Sequence, residues 1–213
     1  MNRIPVQVLS AQFLPNADPK LCQALGVSDD WRCLGLIATD CDDATYIALD
    51  AATKASTVKV TYARSLYAGS SYASSPISGE VLGILSGPTP SEVRSGMDAA
   101  LDLLSSGQVG FWDESHCLAY TVSRTGSFLA REANVPEGSP LAYLIAPPLP
   151  AISALDAALK ASDVTLAKLY APPTETNFGG GLLTGTQSAC VAACEAFRLK
   201  VEEITAASHS HLI

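Results

Sequence analysis

Residues 48–56 read ALDAATKAS, and residues 154–162 read ALDAALKAS. Eight of these nine positions agree, at an offset of 106 residues. A valine follows each copy, Val58 in the first and Val164 in the second. Similarity at a fixed distance of this size indicates that one folding unit of about 100 residues occurs twice in the chain.

The similarity continues on both sides of the repeated stretch as a pattern of secondary structure. Short apolar stretches predict strands, and alanines at helical spacing predict a helix between them. Each half reads as strand, strand, helix, strand, Gly/Ser/Pro-rich loop, strand and long helix. The predicted strands around the repeated helices are Val6–Leu9, Leu34–Ile37, Val58–Tyr62, Leu118–Val122, Leu141–Ile145 and Val164–Leu169. The sequence therefore predicts two tandem α/β (α+β) domains, 1–110 and 111–213.

Charge spacing supports the two repeated helices. Asp50 precedes Lys54 by four residues, and Asp156 precedes Lys160 by the same distance. An acid four residues before a base stabilises a helix by about 0.2–0.5 kcal/mol.

The helix after Gly87 carries its own start signal. Thr89 is a predicted N-cap, Pro90 takes the first turn, and Glu92 completes a capping box. The stripes predicted to face the core are Val93, Met97, Ala100 and Leu104 in this helix, and Cys194, Phe197, Val201 and Ile204 in the last helix.

Composition excludes several classes of protein. Hydrophobic residues make up 48% of the chain and charged residues 16%, with a net charge of −8. A chain without a basic stripe is not expected to bind nucleic acid or an anionic membrane surface. No apolar run reaches the roughly 18 residues that a transmembrane helix needs, and the N-terminus lacks the apolar core of a signal peptide. We therefore expect a cytosolic (cytoplasmic) protein.

The cysteines predict no disulfide framework and no metal site. There are six, and none forms a C-x-x-C pair. In a reducing compartment we expect most of them to be buried free thiols. The sequence also lacks a nucleophile–base constellation and a phosphate-binding loop, so we expect neither catalysis nor a cofactor.

The repeated A-L-D-A-A-x-K-A-S unit resembles the signature of the bacterial microcompartment (BMC) shell domain. Stretches throughout the chain are similar to the ethanolamine-utilisation branch of that family, at 34–50, 62–69, 122–127, 142–149, 172–178 and 183–190. The resemblance implies two circularly permuted BMC domains, each a small, mainly antiparallel sheet flanked by helices. It further implies homotrimers that imitate hexamers, pack edge to edge with other shell proteins, and enclose a gated central pore for small metabolites such as ethanolamine.

The resemblance also implies roles for particular residues. Lys54 and Lys160 match the lysine at the tile edge, although each could simply be a solvated lysine paired with its aspartate. The pore-loop candidates lie in two Gly-rich segments: Gly69, Ser70, Ser71 and Tyr72 in the first, and Asn177, Phe178, Gly179, Gly180 and Gly181 in the second.

A small acidic pocket is implied for the amino-alcohol substrate. The matching positions are Asp42, Asp43, Glu80 and Phe111. Carboxylates attract an ammonium group, and an aromatic ring can cover the carbon chain. The alternative is that Asp42 and Asp43 cap the repeated helix.

Three other interpretations stay open at this point. A cytosolic sensor built from tandem ferredoxin-like domains would share the α/β pattern and an acidic pocket. An enzyme would need clustered reactive groups, which the sequence does not offer. A shell tile from a propanediol or choline compartment would share most of the features above.

Overall fold

A computed structural model describes residues 2–66, 81–171, 174 and 178–210. For residues 208–210 it describes the backbone alone. The strands in these residues are β1 Val8–Leu14, β2 Cys33–Thr39, β3 Lys59–Ser65, β4 Val81–Gly87, β5 Leu118–Val122, β6 Leu141–Ala146, β7 Val164–Tyr170 and β8 Gly179–Gly185. The helices are α1 Pro19–Ala24, α2 Asp42–Ala55, α3 Pro90–Ser105, α4 Ser127–Ala133, α5 Pro148–Ala161 and α6 Gln187–Ser210, with a 3-10 turn at Asp29–Trp31.

The strands form two four-stranded sheets of the same topology. The first has the order β1-β2-β4-β3 and the second β5-β6-β8-β7. All neighbouring strands are antiparallel. The registers correspond as well, since Leu34 pairs with Ser86 and Leu141 pairs with Thr184. The structure confirms the predicted mixed fold of antiparallel sheets flanked by helices.

The chain divides into two compact units. The first unit consists of Pro5–Val109 and Gly126–Leu129. The second unit consists of the chain up to Ile4, Gly110–Thr125 and the chain from Ala130 onward. These units follow packing, whereas the predicted ranges 1–110 and 111–213 divide the sequence repeat, so the domain boundary stays a prediction.

Glycines let the helices of the first unit lie close to their sheet. A Cβ added at Gly35 in β2 would lie 2.5 Å from the Met97 sulfur of α3. A Cβ added at Gly83 in β4 would lie 2.6 Å from Cδ1 of Leu49 in α2. Because strand residues alternate between the two faces, these glycines assign α2 and α3 to one side of the first sheet.

The opposite face of the same sheet carries α1. Cys22 of α1 is fully buried in a cluster with Leu34 and Ile84 from β2 and β4. Leu36, Tyr62 and Leu82 pack around this cluster. The first unit thus has helices on both faces of its sheet, as layered α/β packing requires when both faces are apolar.

The second unit has an alanine-rich core between α5, α6 and its sheet. Ala151, Ala154 and Ala158 of α5 are fully buried. They belong to a cluster that includes Phe197 and Val201 of α6 and Leu144 of β6. Small side chains on α5 allow its backbone to approach the neighbouring elements closely.

The predicted helix start at Thr89 is confirmed, but the Glu92 carboxylate binds a different N–H group from the one that a capping box uses. The Thr89 hydroxyl accepts a hydrogen bond from the Glu92 N–H at 3.3 Å. Oε2 of Glu92 accepts a hydrogen bond from the Thr57 N–H at 2.5 Å. Glu92 therefore joins the start of α3 to the turn after α2.

Two short helices, α1 and α4, have no counterpart among the elements predicted from the sequence. They have six and seven residues, too few to show a helical period in the sequence. Asp18 caps α1 by accepting a hydrogen bond from the Lys20 N–H at 2.8 Å. The Asp18-Pro19 pair was the available start signal, because proline is favoured in the first turn of a helix.

Candidate functional site

Two adjacent carboxylates lie in the first turn of α2. Asp42 and Asp43 are each only 7% exposed. Oδ1 of Asp42 accepts a hydrogen bond from the Asp43 N–H at 2.8 Å, and Oδ2 accepts one from the Ser65 hydroxyl at 2.6 Å. The Tyr46 hydroxyl lies 2.6 Å from the Ser65 oxygen. A polar chain at the end of β3 therefore holds Asp42 in place.

The capping alternative for these two carboxylates is wrong. Cys41 occupies the N-cap position, and its side chain makes no capping hydrogen bond. Thr39 stabilises the turn before α2 instead, because its hydroxyl accepts a hydrogen bond from the Cys41 N–H at 3.1 Å. Asp42 and Asp43 lie inside the helix, where the positive end of the helix dipole favours their charge.

The Cys41 thiol beside this turn stays protonated. Burial raises the pKa of Cys41 well above its usual range, and the charge of Asp43 raises it further. A thiol in this state is a poor nucleophile and a poor metal ligand. The turn therefore presents carboxylate chemistry rather than thiol chemistry.

The remaining members of the predicted pocket are described in part. Phe111, in the second unit, packs its ring edge against Phe178, with 5.3 Å between the ring centroids. Glu80 lies outside the described residues. The structure thus brings Asp42 together with Asp43, and Phe111 together with Phe178, whose pairing the sequence did not indicate.

In the first unit, Lys54 pairs with a buried aspartate, Asp50. The Lys54 ammonium lies 3.1 Å from Oδ2 of Asp50, whose side chain is fully buried. Asp50 also accepts hydrogen bonds from the N–H groups of Gly126 and Leu129, each at 2.8 Å. Asp50 is therefore a structural anchor as well as the partner of Lys54.

The equivalent pair on α5 is exposed. The Lys160 ammonium lies 2.6 Å from Oδ2 of Asp156, and their side chains are 74% and 61% exposed. The same sequence motif thus gives a buried aspartate on α2 and an exposed one on α5. Both lysines lie in the last turn of their helix, and their role at the tile edge stays a prediction.

The predicted loop around the second Gly-rich segment is wrong in part. Gly179, Gly180 and Gly181 belong to β8 and are buried, where Gly180 pairs with Ile145 of β6. A Cβ at Gly180 would collide with the backbone carbonyl of Leu144. The glycines therefore allow close strand contact rather than loop movement.

The rest of the predicted pore segments lies mostly beyond the described residues. Phe178 is half-buried, and its carbonyl accepts a hydrogen bond from the Thr174 hydroxyl at 2.7 Å. The residues outside the described ranges are Gly69, Ser70, Ser71, Tyr72 and Asn177.

The cysteines are free thiols, five of them buried. Burial raises the pKa of Cys194 to about 12, and burial also raises the pKa of Cys190. Within the described ranges, no group of three or more His, Cys, Asp or Glu side chains could hold a metal ion. No helix in the part of the chain that the structure covers is long and apolar enough to cross a bilayer.

Comparison with known proteins identifies relatives of this chain. The family model described as BMC domain matches residues 33–117. The bacterial microcompartment shell protein EutL of Clostridium perfringens is 55% identical over 92% of this chain and 93% of its own length. EutL of Escherichia coli K12 is 45% identical over 96% of this chain and 95% of its own. The crystal structure of EutL from Leptotrichia buccalis superposes with a TM-score of 0.92 at 49% identity, covering 95% of each chain.

Proposed function

The chain belongs to the EutL family of bacterial microcompartment shell proteins, and from this premise we propose that it forms homotrimeric tiles around a gated metabolite pore. It is a structural protein of the ethanolamine-utilisation microcompartment shell, and not an enzyme. The observation that carries the proposal is the duplication, because two sheets of one topology in each chain let three chains supply six similar units.

We assign the seams between tiles to the ends of α2 and α5. Lys54 and Lys160 retain 36% and 74% of their side-chain exposure, so each ammonium has room for carbonyls of a neighbouring tile. A lysine suits a flat seam because its long apolar stem can lie along the interface while its three N–H donors find acceptors.

The double variant Lys54→Ala/Lys160→Ala tests the seam. We expect it to remain a trimer by native mass spectrometry and to form no extended sheets under electron microscopy. Lys200→Ala is the matched control, because Lys200 is also a partly exposed helix lysine paired with a carboxylate, Glu203 at 2.8 Å. Normal sheets from the double variant would remove both lysines from the seam.

The pore is assigned to the two connections that precede β4 and β8. Each joins a pair of antiparallel neighbours, β3 to β4 and β7 to β8, so they occupy the same place in the two repeats. Deleting 69–72 should leave the trimer intact and change the aperture at the centre of each tile in electron micrographs of sheets. An unchanged aperture would count against a gate formed by this segment.

The ammonium group of ethanolamine is assigned to the acidic pair on α2, and the roles of Glu80 and Phe111 stay predictions of the family resemblance. Asp42 and Asp43 support this because they are adjacent carboxylates shielded from bulk water, where attraction to a cation is less screened. We expect Asp43→Asn to weaken ethanolamine binding in calorimetry at least tenfold. Asp98→Asn, at an exposed position on α3, should leave the affinity unchanged, and equal affinities for all three proteins would exclude the acidic pair.

A further inference from the structure

The first turns of α5 present an uncovered apolar face. Leu149 is 72% exposed and Ile152 is 50% exposed, and both precede the exposed Asp156 on the same side of the helix. Residues three and four apart on a helix share a face, so these three side chains form one continuous surface. We call this surface the α5 face.

The repeat gives the α5 face a counterpart whose burial is known. At the offset of 106 residues, Leu149, Ile152 and Asp156 correspond to Asp43, Tyr46 and Asp50 on α2. Asp43 is only 7% exposed and Asp50 is fully buried. One helix face is therefore covered in the first repeat and bare in the second.

The cover on α2 is the segment 126–129, which belongs to the same compact unit. Its backbone donates to Asp50 from Gly126 and Leu129, and the Ser127 N–H donates to the Thr53 hydroxyl at 3.1 Å. The ring centroid of Phe128 lies 6.1 Å from that of Tyr46. The start of α4 thus packs along α2.

In the first repeat, α1 holds the place that α4 holds in the second. Helix α4 lies between β5 and β6, and α1 lies between β1 and β2, in sheets of the same order. Five of the six residues of α1 are exposed, all but Cys22. Its exposed side chains include Leu21, at 44%, and the neighbouring Lys20.

We propose that α1 of a second copy of this chain covers the α5 face, as the start of α4 covers α2. This inference deepens the proposed trimer and depends on it. Leu21 supplies an apolar side chain for Leu149 and Ile152, and Lys20 supplies a positive charge for Asp156.

The two surfaces differ, so the contact is head to tail. Each chain offers one α1 and one α5 face, and such a contact builds a ring where the rotation closes. A ring of three chains satisfies every α1 and every α5 face. Burying Leu149 and Ile152 in this way removes two of the largest exposed apolar side chains from water.

Cross-linking tests the contact directly. The double variant Leu21→Cys/Ile152→Cys would be treated with a short bismaleimide and run on a denaturing gel. Covalent dimers and trimers are expected, with the trimer as the largest species. Wild-type protein and the two single variants control for the native thiols and for random linkage.

Native mass spectrometry of the untreated wild type separates the possible failures. If the wild type is a trimer and the double variant yields no species above the control level, the proposed contact is wrong while the trimer stands. If the wild type is not a trimer, the proposed assembly fails, and this contact fails with it.

A charge variant provides a second measurement. Leu149→Asp/Ile152→Asp should dissociate the trimer to monomers that keep the wild-type circular dichroism spectrum. Val191→Asp/Leu199→Asp on α6, where the two side chains are 51% and 50% exposed, is the matched control and should remain trimeric. Trimers from both variants would overturn the proposal.

Discussion

Asp50 and Asp156 are the same residue of the repeated motif, yet their surroundings are opposite. Asp50 has no exposed side-chain surface and accepts hydrogen bonds from two backbone N–H groups, while Asp156 is 61% exposed within its own chain and pairs with Lys160. The charge spacing predicted both ion pairs. It did not predict that one aspartate anchors a segment distant in sequence, because that contact depends on how the chain returns to α2.

Replacing each aspartate by alanine should reveal this difference. Asp50→Ala leaves two N–H groups without their acceptor, which costs about 2–4 kcal/mol of unfolding free energy. Asp156→Ala, measured in the monomeric Leu149→Asp/Ile152→Asp background, removes an exposed ion pair and should cost at most about 0.5 kcal/mol. Urea unfolding at a fixed protein concentration would measure both, and similar losses for the two variants would contradict the anchoring role of Asp50.

At the scale of elements, the glycines of β4 and β8 show why a Gly-rich stretch need not be a loop. The predicted second loop included Gly179, Gly180 and Gly181, because glycine commonly marks flexible connections. In the structure, these residues lie in β8, between β6 and β7. Composition alone could not distinguish a flexible loop from a closely packed strand, because the absence of a side chain on glycine suits both.

Gly180→Ala should destabilise the protein more than Gly83→Ala. The new methyl group at Gly180 would meet the Leu144 backbone, which cannot move without breaking the pairing of β6 and β8. At Gly83 it would meet the side chain of Leu49, which can adopt another rotamer. Thermal unfolding followed by circular dichroism should show the larger drop in Tm for Gly180→Ala, and the reverse order would show that β8 is less constrained than described.

At the scale of the whole molecule, the buried thiols make stability depend on alkaline pH. Burial raises the pKa of Cys194 to about 12 and raises that of Cys190, so the native thiols stay protonated where unfolded thiols ionise. Above the unfolded value of about 8.5, the unfolded state binds fewer protons than the native state. Stability from these thiols is therefore complete below about pH 8.5 and is lost as the pH rises toward about 12.

Urea unfolding at pH 8, 9, 10 and 11 would measure this loss. Each thiol that is protonated only in the native state contributes a slope of about −1.4 kcal/mol per pH unit. Cys194→Ala should lower the overall stability because it leaves a cavity. It should also make the slope less steep by about 1.4 kcal/mol per pH unit, the contribution of one thiol. An unchanged slope would show that Cys194 ionises equally in both states.

The identity of the whole chain also belongs to this scale, and the relatives decide among the interpretations left open by the sequence. The sensor interpretation and the other-compartment interpretations are not retained, because relatives at 45% identity or more over nearly the whole chain are EutL shell proteins. The uncovered α5 face supplies the proposed site at which the chains join.

The sequence by itself determined the duplication, the two mixed α/β folds, the helix start at Thr89 and the family. These features depend on local spacing and on similarity, which can be read along the chain. Only the tertiary structure decided that Asp50 is buried while Asp156 is exposed, that Gly179–Gly181 form a strand, and that α1 and α4 exist. Each of these depends on residues far apart in sequence coming together, and two copies of one motif carry no local signal for which of them will be covered.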